Sequence, residues 1–419
     1  MGMQYEGYRP RPPGLPLIDG KVDFTNEAGV QQMLELIGDA PLPDVSAAAA
    51  EPFVGVTTDG HAIPGLFPLA DDGFDGAPAA RAAIDFLHGL TAAERAKSTS
   101  PMDSTDWRLW INAFLTFPEH GLRLQDLSDS SREAALAVIE ASTSTVGFER
   151  IRKAMRLNGE LGRFVDSYFD TLTEWCYWFT IFGEPSADAP WGWQLAGHHI
   201  DVHCAIIGHQ VVLTPTFLGA EFRSAEIFAE HRASALEFMQ SLSAGQRKKA
   251  VLYESLSPGE LPKALAGHVD GRHRSGAGQD NLVMPYEGLR GDQLSAGQRE
   301  LLLSVLDPYI DGLSAGPRTA WQRQVAKHLD DSWFTWIGND DDRSPFYYKV
   351  HSPVILVEYD NHSGIFLDNE TPEPFHVHSI VRTPNGGDYG KDLLAQHYAQ
   401  QHTHDHDHSH GDGHGHHHH

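Results

Sequence analysis

The chain has 419 residues, and 31 Lys and Arg against 57 Asp and Glu leave it a formal charge of −26 with histidine neutral. Hydrophobic residues at 41% and aromatics at 10%, with 9 Trp, supply enough apolar side chain for a sizeable core and exclude general disorder. So acidic a chain repels phosphate backbones and anionic leaflets, which excludes nucleic acid and membrane surfaces as partners. No apolar run approaches the roughly 20 residues of a spanning helix and no basic-then-apolar leader opens the chain, which predicts a soluble, cytoplasmic protein.

Residues 1–77 are rich in Pro, Gly, Ala and Asp and read as an extended N-terminal arm. From Pro78 the pattern turns helical, with start signals. Thr91-Ala-Ala-Glu94, Ser243-Ala-Gly-Gln246 and Ser295-Ala-Gly-Gln298 are capping boxes, in which the hydroxyl accepts from the N3 amide and the N3 side chain returns to the cap amide. Ser128 caps a fourth helix without the reciprocal partner. Cys176 and Cys204 are too few for a disulfide scaffold and read as buried, reduced thiols.

Three blocks recur in the same order. FLHGLTAAER at Phe86–Arg95 matches FMQSLSAGQR at Phe238–Arg247, GLRLQDLSDSSRE from Gly121 matches GLRGDQLSAGQRE from Gly288, and WFTIFG at Trp178 matches WFTWIG at Trp333. The pattern predicts an internally duplicated α+β fold: a first half over residues 78–230, a second over 231–398, each a helical section followed by antiparallel hairpin strands, and a His-rich disordered tail over 399–419. In the first half "GHHIDVHCAI" reads as one strand, followed by a turn at Ile207–Gln210 and a return strand. "GRHRSGAGQDN" near Gly271 reads as a flexible loop.

Strand alternation puts His198, Ile200, Val202 and Cys204 on one face and His199, Asp201 and His203 on the other. In "FHVHSIVR" it puts Val377 and Val381 toward the core and His376, His378 and Arg382 opposite. In the duplication register His203 corresponds to Glu358, with Asp360 two residues on. Imidazoles with a carboxylate suit a divalent transition metal such as Zn, Fe, Cu, Ni or Mn. The expected ligands are His199, His376, His378 and Glu358, with His203 as a further candidate. Asp201 and Asp360 are candidate general bases, and Arg382 is placed to hold an anionic substrate group. His198, on the apolar face, reads as a core histidine.

No HExxH helix, GxSxG elbow, GxxxxGK[ST] loop or GxGxxG turn is present, which argues against nucleotide-dependent chemistry. Of the 26 histidines, ten fall in residues 402–419, interleaved with Asp405, Asp407 and Asp412, a composition that binds transition metals loosely.

"WGWQLAGHHIDVH", "PYEGLRGDQLSAGQRELLL", "FYYKVHSPVILVEYDN" and "HVHSIVR" resemble, over roughly Pro78 to Tyr398, the domain-of-unknown-function 3500 family. The resemblance implies that His198 and His199, the run Glu358 to Asn361, and His376 and His378 are shared family positions; "HSGIFLDNETPEP" is longer than the family's usual link, and Val381 stands where Trp is usual. It names no reaction. The residues together predict a soluble metal-dependent enzyme acting on a small polar or anionic molecule, with hydrolysis favoured over Fe or Cu oxidation. The rival is a metal store or chaperone that works through the tail.

Overall fold

The computed structural model describes residues 3–11, 17–18, 21–22, 43–113, 120–168, 170–267 and 271–408, with side chains of the last helix described to residue 401. It contains helices and a mixed, many-stranded sheet, an α+β arrangement. The strands of the large sheet are β1 (Thr99–Ser100), β2 (Leu122–Arg123), β3 (Tyr177–Gly183), β4 (Trp191–Gly197), β5 (Ile200–Ile207), β6 (Gln210–Val212) and β7 (Thr216–Ala220). They continue with β8 (Val251–Tyr253), β9 (Leu289–Arg290), β10 (Trp333–Gly338), β11 (Phe346–His351), β12 (Leu356–Asn361) and β13 (Val377–Arg382). Their spatial order is β8-β10-β11-β12-β13-β7-β5-β4-β3-β1, with β9 on β10, β2 on β3 and β6 on β5. The central pair is β13 with β7, antiparallel, with His378 opposite Gly219 and Ile380 opposite Phe217.

Alternation along these strands separates two chemistries. Phe179, Trp193, Val202, Cys204, Leu218, Val381, Val357, Tyr348 and Trp336 share one apolar cluster with the helices that cover that face. Those helices are α2 (Ala77–His88), α4 (Asp129–Ser142), α5 (Thr145–Val165), α6 (Ala225–Ser241), α8 (Ala296–Ile310) and α9 (Ala315–Lys327). Between them run the short α3 (Ala92–Ser98) and α7 (Ala244–Ala250), while α1 (Val45–Ala50) precedes and α10 (Lys391–His408) follows the series. The expected capping boxes form at Thr91, Ser243 and Ser295, and Ser128 caps α4 with its hydroxyl alone. Both cysteines are buried and free. The turn at Gly208-His209 joins Ile207 to Gln210 as the sequence indicates.

The opposite face carries Gln194, Asp201, His203, His378, Arg382, Glu358, Asp360 and Lys349, all buried. Polar groups survive burial only when paired or functional, and here irregular segments do the covering. Arg108, in the 3₁₀ turn Thr105–Arg108, donates to the Ala48, Ala49 and Glu51 carbonyls at the end of α1 and to Asp280. The segment near Gly271 is not a free loop, because Arg272, His273, Ser275 and Asp280 are all buried against this face.

The tail from residue 399 begins within α10, whose backbone is helical to His408; residues 409–419 and the side chains from 402 onward lie outside the described residues. Among the described residues no helix is long and apolar enough to cross a membrane.

Candidate metal centre

The structure corrects one strand boundary with consequences for the site. β4 ends at Gly197 and β5 starts at Ile200, so His198 and His199 are the two central residues of a hairpin turn. His199 takes a left-handed backbone, φ 62°, which is uncommon for a residue with a Cβ. Its amide donates to the Asn112 carbonyl at 3.2 Å, and its carbonyl accepts from Gly219 at 2.8 Å. His198 points the other way: its Nδ1 meets Asn158 Oδ1 at 2.8 Å while its ring stacks on His199, 3.9 Å between centroids. Gly219 is what lets the His199 ring reach across β7. A Cβ there would stand 2.8 Å from His199 Cδ2 and 3.1 Å from Cγ.

His376, just before β13, and His378 within it supply two further imidazoles from the other side of the β7–β13 pair. His199, His376 and His378 are all buried, with one ligand nitrogen of each within 4.8 Å of the others, and they form the one such group among the described residues. His378 Nε2 lies 3.1 Å from His199 Nε2 and 3.2 Å from His376 Nε2. The tautomer of His376 is set by its surroundings: Nδ1–H donates to the Ser363 carbonyl at 2.7 Å, which leaves a lone pair on Nε2. One proton between nitrogens can satisfy one of the two Nε2 contacts but not both. Burial, and then the neighbouring imidazoles, hold all three well below the ordinary histidine pKa, so they are neutral and ready to act as ligands.

His362 completes the surroundings, and alternation beyond Glu358 and Asp360 would have pointed to it. Its backbone amide pairs with the His376 carbonyl, and its ring centroid is 4.6 Å from that of His378 and 5.0 Å from that of His376. Nδ1–H donates to the Ser363 carbonyl at 3.0 Å, leaving the buried Nε2 as an acceptor with no hydrogen-bond partner among the described residues. His273 also approaches, with its ring 5.9 Å from that of His378. No local pattern marked it, because it comes from the irregular segment.

The other expected residues stand outside the histidine group. Glu358 accepts from the Arg274 amide at 3.0 Å, from the Ser275 amide at 2.8 Å, from the Ser275 hydroxyl and from Tyr347 Oη at 2.6 Å. Burial pushes its pKa up, but His273 and these donors outweigh it and hold the carboxylate below its ordinary range. Asp360 is bound by Arg272, with Nη2 at 2.8 Å and the Arg272 amide at 3.2 Å, and so is poorly placed as a base. Arg382 shares the polar face with His378, yet its guanidinium donates to the Ser275 and Gly276 carbonyls and pairs with Asp280 and Asp388, each at 2.9 Å. That leaves it no fork for a substrate anion. His203 Nδ1–H donates to the Pro215 carbonyl at 2.7 Å and sits against Trp110 and Tyr389. Asp201 is fully buried, and burial raises its pKa well above the carboxylate range against the lowering effect of a backbone hydrogen bond from Gly197.

Residues 74–391 match the profile of a family described as "Protein of unknown function (DUF3500)". No curated protein and no solved structure matches the chain.

Proposed function

We propose, for a chain that belongs to the DUF3500 family of unknown function, a metal-dependent enzyme whose cation is held by His199, His376 and His378. The observation that carries this reading is the meeting of three buried Nε2 atoms at 3.1 and 3.2 Å, in an arrangement that a shared proton cannot satisfy. Zn–N bonds of about 2.0–2.1 Å place tetrahedral ligand nitrogens about 3.3 Å apart, close to these separations. Three imidazoles with a fourth position open are a zinc-type donor set, and with Glu358 engaged by four donor groups the two-histidine, one-carboxylate pattern of oxygen-activating iron is the less favoured alternative.

A divalent cation in such a site supplies a bound water of lowered pKa and polarises a substrate oxygen, the chemistry of hydrolysis. His362, whose ring lies 4.6 Å from that of His378 and whose Nε2 is an acceptor, is the side chain we assign to take a proton there, ahead of Asp360. Ser363 positions both neighbours, since its carbonyl receives Nδ1–H of His362 and of His376.

Elemental analysis of the chain truncated before residue 402 tests the reading. One tightly held equivalent of transition metal, lost in His378→Ala, is expected. A metal-free truncated chain would transfer all cation binding to the tail and support the store or chaperone.

The internal duplication belongs to the same proposal. Each half places a short strand parallel to a longer one (β1 on β3, β8 on β10), then a two-residue antiparallel strand on the same partner (β2, β9), then an antiparallel series leading to the centre. In that series Gln194 faces His203 as Lys349 faces Glu358, in keeping with His203 and Glu358 as equivalent positions. On this reading the cation lies at the junction of two copies.

A further inference from the structure

Glu221, the first residue after β7, lies outside the histidine group, yet it is buried to 1% exposure. Its Oε1 accepts from three successive amides, Ile365 at 2.7 Å, Phe366 at 2.6 Å and Leu367 at 2.9 Å. Three donors on one oxygen satisfy the buried carboxyl and, equally, three amides of a segment that lies between β12 and β13 and belongs to neither. Burial pushes the Glu221 pKa up to about 7 against the pull of these amides, but Oε1 accepts in either state, since a proton would sit on Oε2.

The clamped segment reaches the metal ligands by two routes. Ser363, two residues before Ile365, receives on its carbonyl Nδ1–H of His376 at 2.7 Å and of His362 at 3.0 Å, the bonds that leave lone pairs on both Nε2 atoms. The Phe366 ring makes a T-shaped contact with that of His198, 5.6 Å between centroids, and His198 stacks at 3.9 Å on His199. The carbonyls of the same segment are held from elsewhere: Arg11 Nε donates to the Leu367 carbonyl and the Arg11 amide to the Phe366 carbonyl, each at 2.8 Å. Residues 365–367 are thus gripped through their N–H groups by the end of β7 and through their C=O groups by the N-terminal residues. Within β7 itself, Gly219 makes room for the His199 ring. Two residues on, Glu221 holds the segment that orients His376.

We propose that Glu221 is a positioning residue of the metal centre, acting through Ser363 on His376 and through Phe366 and His198 on His199. The proposal rests on the metal-site reading and adds to it the group that fixes the ligands without touching the ion.

Cobalt(II) titrated into the full chain tests it, because a four-coordinate histidine site gives intense visible bands that loose six-coordinate binding by the tail does not. Glu221→Gln keeps the Oε1 acceptor and is expected to hold cobalt within about threefold of the unmodified chain, with the same bands, whereas Glu221→Met, of nearly the same length, leaves the three amides unpaired and is expected to lose at least about tenfold in affinity and to shift the bands. A merely structural role would lower the melting temperature of Glu221→Met and leave its cobalt spectrum alone. Bands and affinity in Glu221→Met identical to those of the unmodified chain, or an equal loss in Glu221→Gln, overturn the proposal. If Glu221→Met does not fold, hydrogen exchange in the unmodified chain decides: coupling is reciprocal, so cobalt must slow the amides of Ile365, Phe366 and Leu367 more than those of β3, and equal slowing refutes the link. An unmodified chain without intense bands sinks the metal reading and this one with it, whereas bands indifferent to Glu221→Met sink this one alone.

Discussion

Replacing Gly219 by alanine tests whether the histidine group is a positioned site or a chance meeting of buried rings. Gly219 is opposite His378 in the β7–β13 register, and its amide donates to the His199 carbonyl. A Cβ at 2.8 Å from His199 Cδ2 and 3.1 Å from the Val377 carbonyl has no room, and ordinary contact needs the His199 ring to retreat by about 0.8 Å. Overpacking of this kind costs about 1–3 kcal/mol. More to the point, the ring that must move is the one whose Nε2 stands 3.1 Å from that of His378. Disturbance of groups that orient a ligand typically lowers metal affinity about 10–100-fold. The assay is competition with a chromogenic chelator on the chain truncated before residue 402, with melting of the metal-free form alongside. Gly245→Ala is the control, since a Cβ there meets nothing within 4 Å and lies in α7, where alanine gains up to ~1 kcal/mol over glycine. Metal affinity in Gly219→Ala equal to that of the Gly245→Ala control would refute the positioning role and weaken the case for a site at all.

Further outcomes follow from the same face. Arg382→Ala leaves Asp280 and Asp388 buried without their shared cation, and removal of one partner from a buried ionic group costs about 3–5 kcal/mol; a lowered denaturation midpoint with unchanged metal stoichiometry is expected, and wild-type stability with loss of catalysis would restore Arg382 to the substrate. Burial pushes the imidazoles of His203 and His351 down to about 3. Because the unfolded chain takes up those protons near pH 6.5 and the folded chain does not, stability is retained above pH 6.5 and declines as pH falls toward 3, by about 2 kcal/mol per histidine at pH 5. Denaturant titrations at pH 7.5 and pH 5 check this, and equal midpoints at equal slope would contradict it. Deleting residues 3–11 removes a strap on the 363–373 segment, where Tyr8 Oη donates to Glu373 at 2.6 Å and Arg11 Nε to the Leu367 carbonyl at 2.8 Å; faster proteolysis within 363–373 and weaker metal binding are expected, and an unaltered cleavage pattern would show that the strap holds nothing.

Much of the scaffold is legible because it depends on neighbours in sequence. A capping box needs four residues, and the three proposed at Thr91, Ser243 and Ser295 form. Alternation separates Val377 and Val381 from His376, His378 and Arg382 correctly, since a strand's period is indifferent to what covers it. The turn at His198-His199 was hidden because hydrophobic residues on both sides read as one strand, and a histidine with positive φ is no ordinary turn signal. Which polar residues meet was less legible still. Glu358 and Arg382 share the right face, but their partners come from residues 272–280 and from Asp388, segments with no periodicity. Ion pairing there consumes the groups that the face pattern offers, while His362, one residue past the family-like run, has an Nε2 without a partner among the described residues.

The seam between β7 and β13 has a consequence for how the protein comes into being. His199 leaves the ribosome long before His376 and His378, and the strands that bring them together pair only when the last part of the sheet is in place. During synthesis, then, the emerging chain holds these imidazoles apart, and the three-nitrogen arrangement exists only after closure of the sheet's middle. On the proposed reading, a cation bound there would act as a rivet across the seam: it would stabilise only the completed fold, by an amount set by its concentration over its dissociation constant, and would oppose splitting of the chain along its own midline.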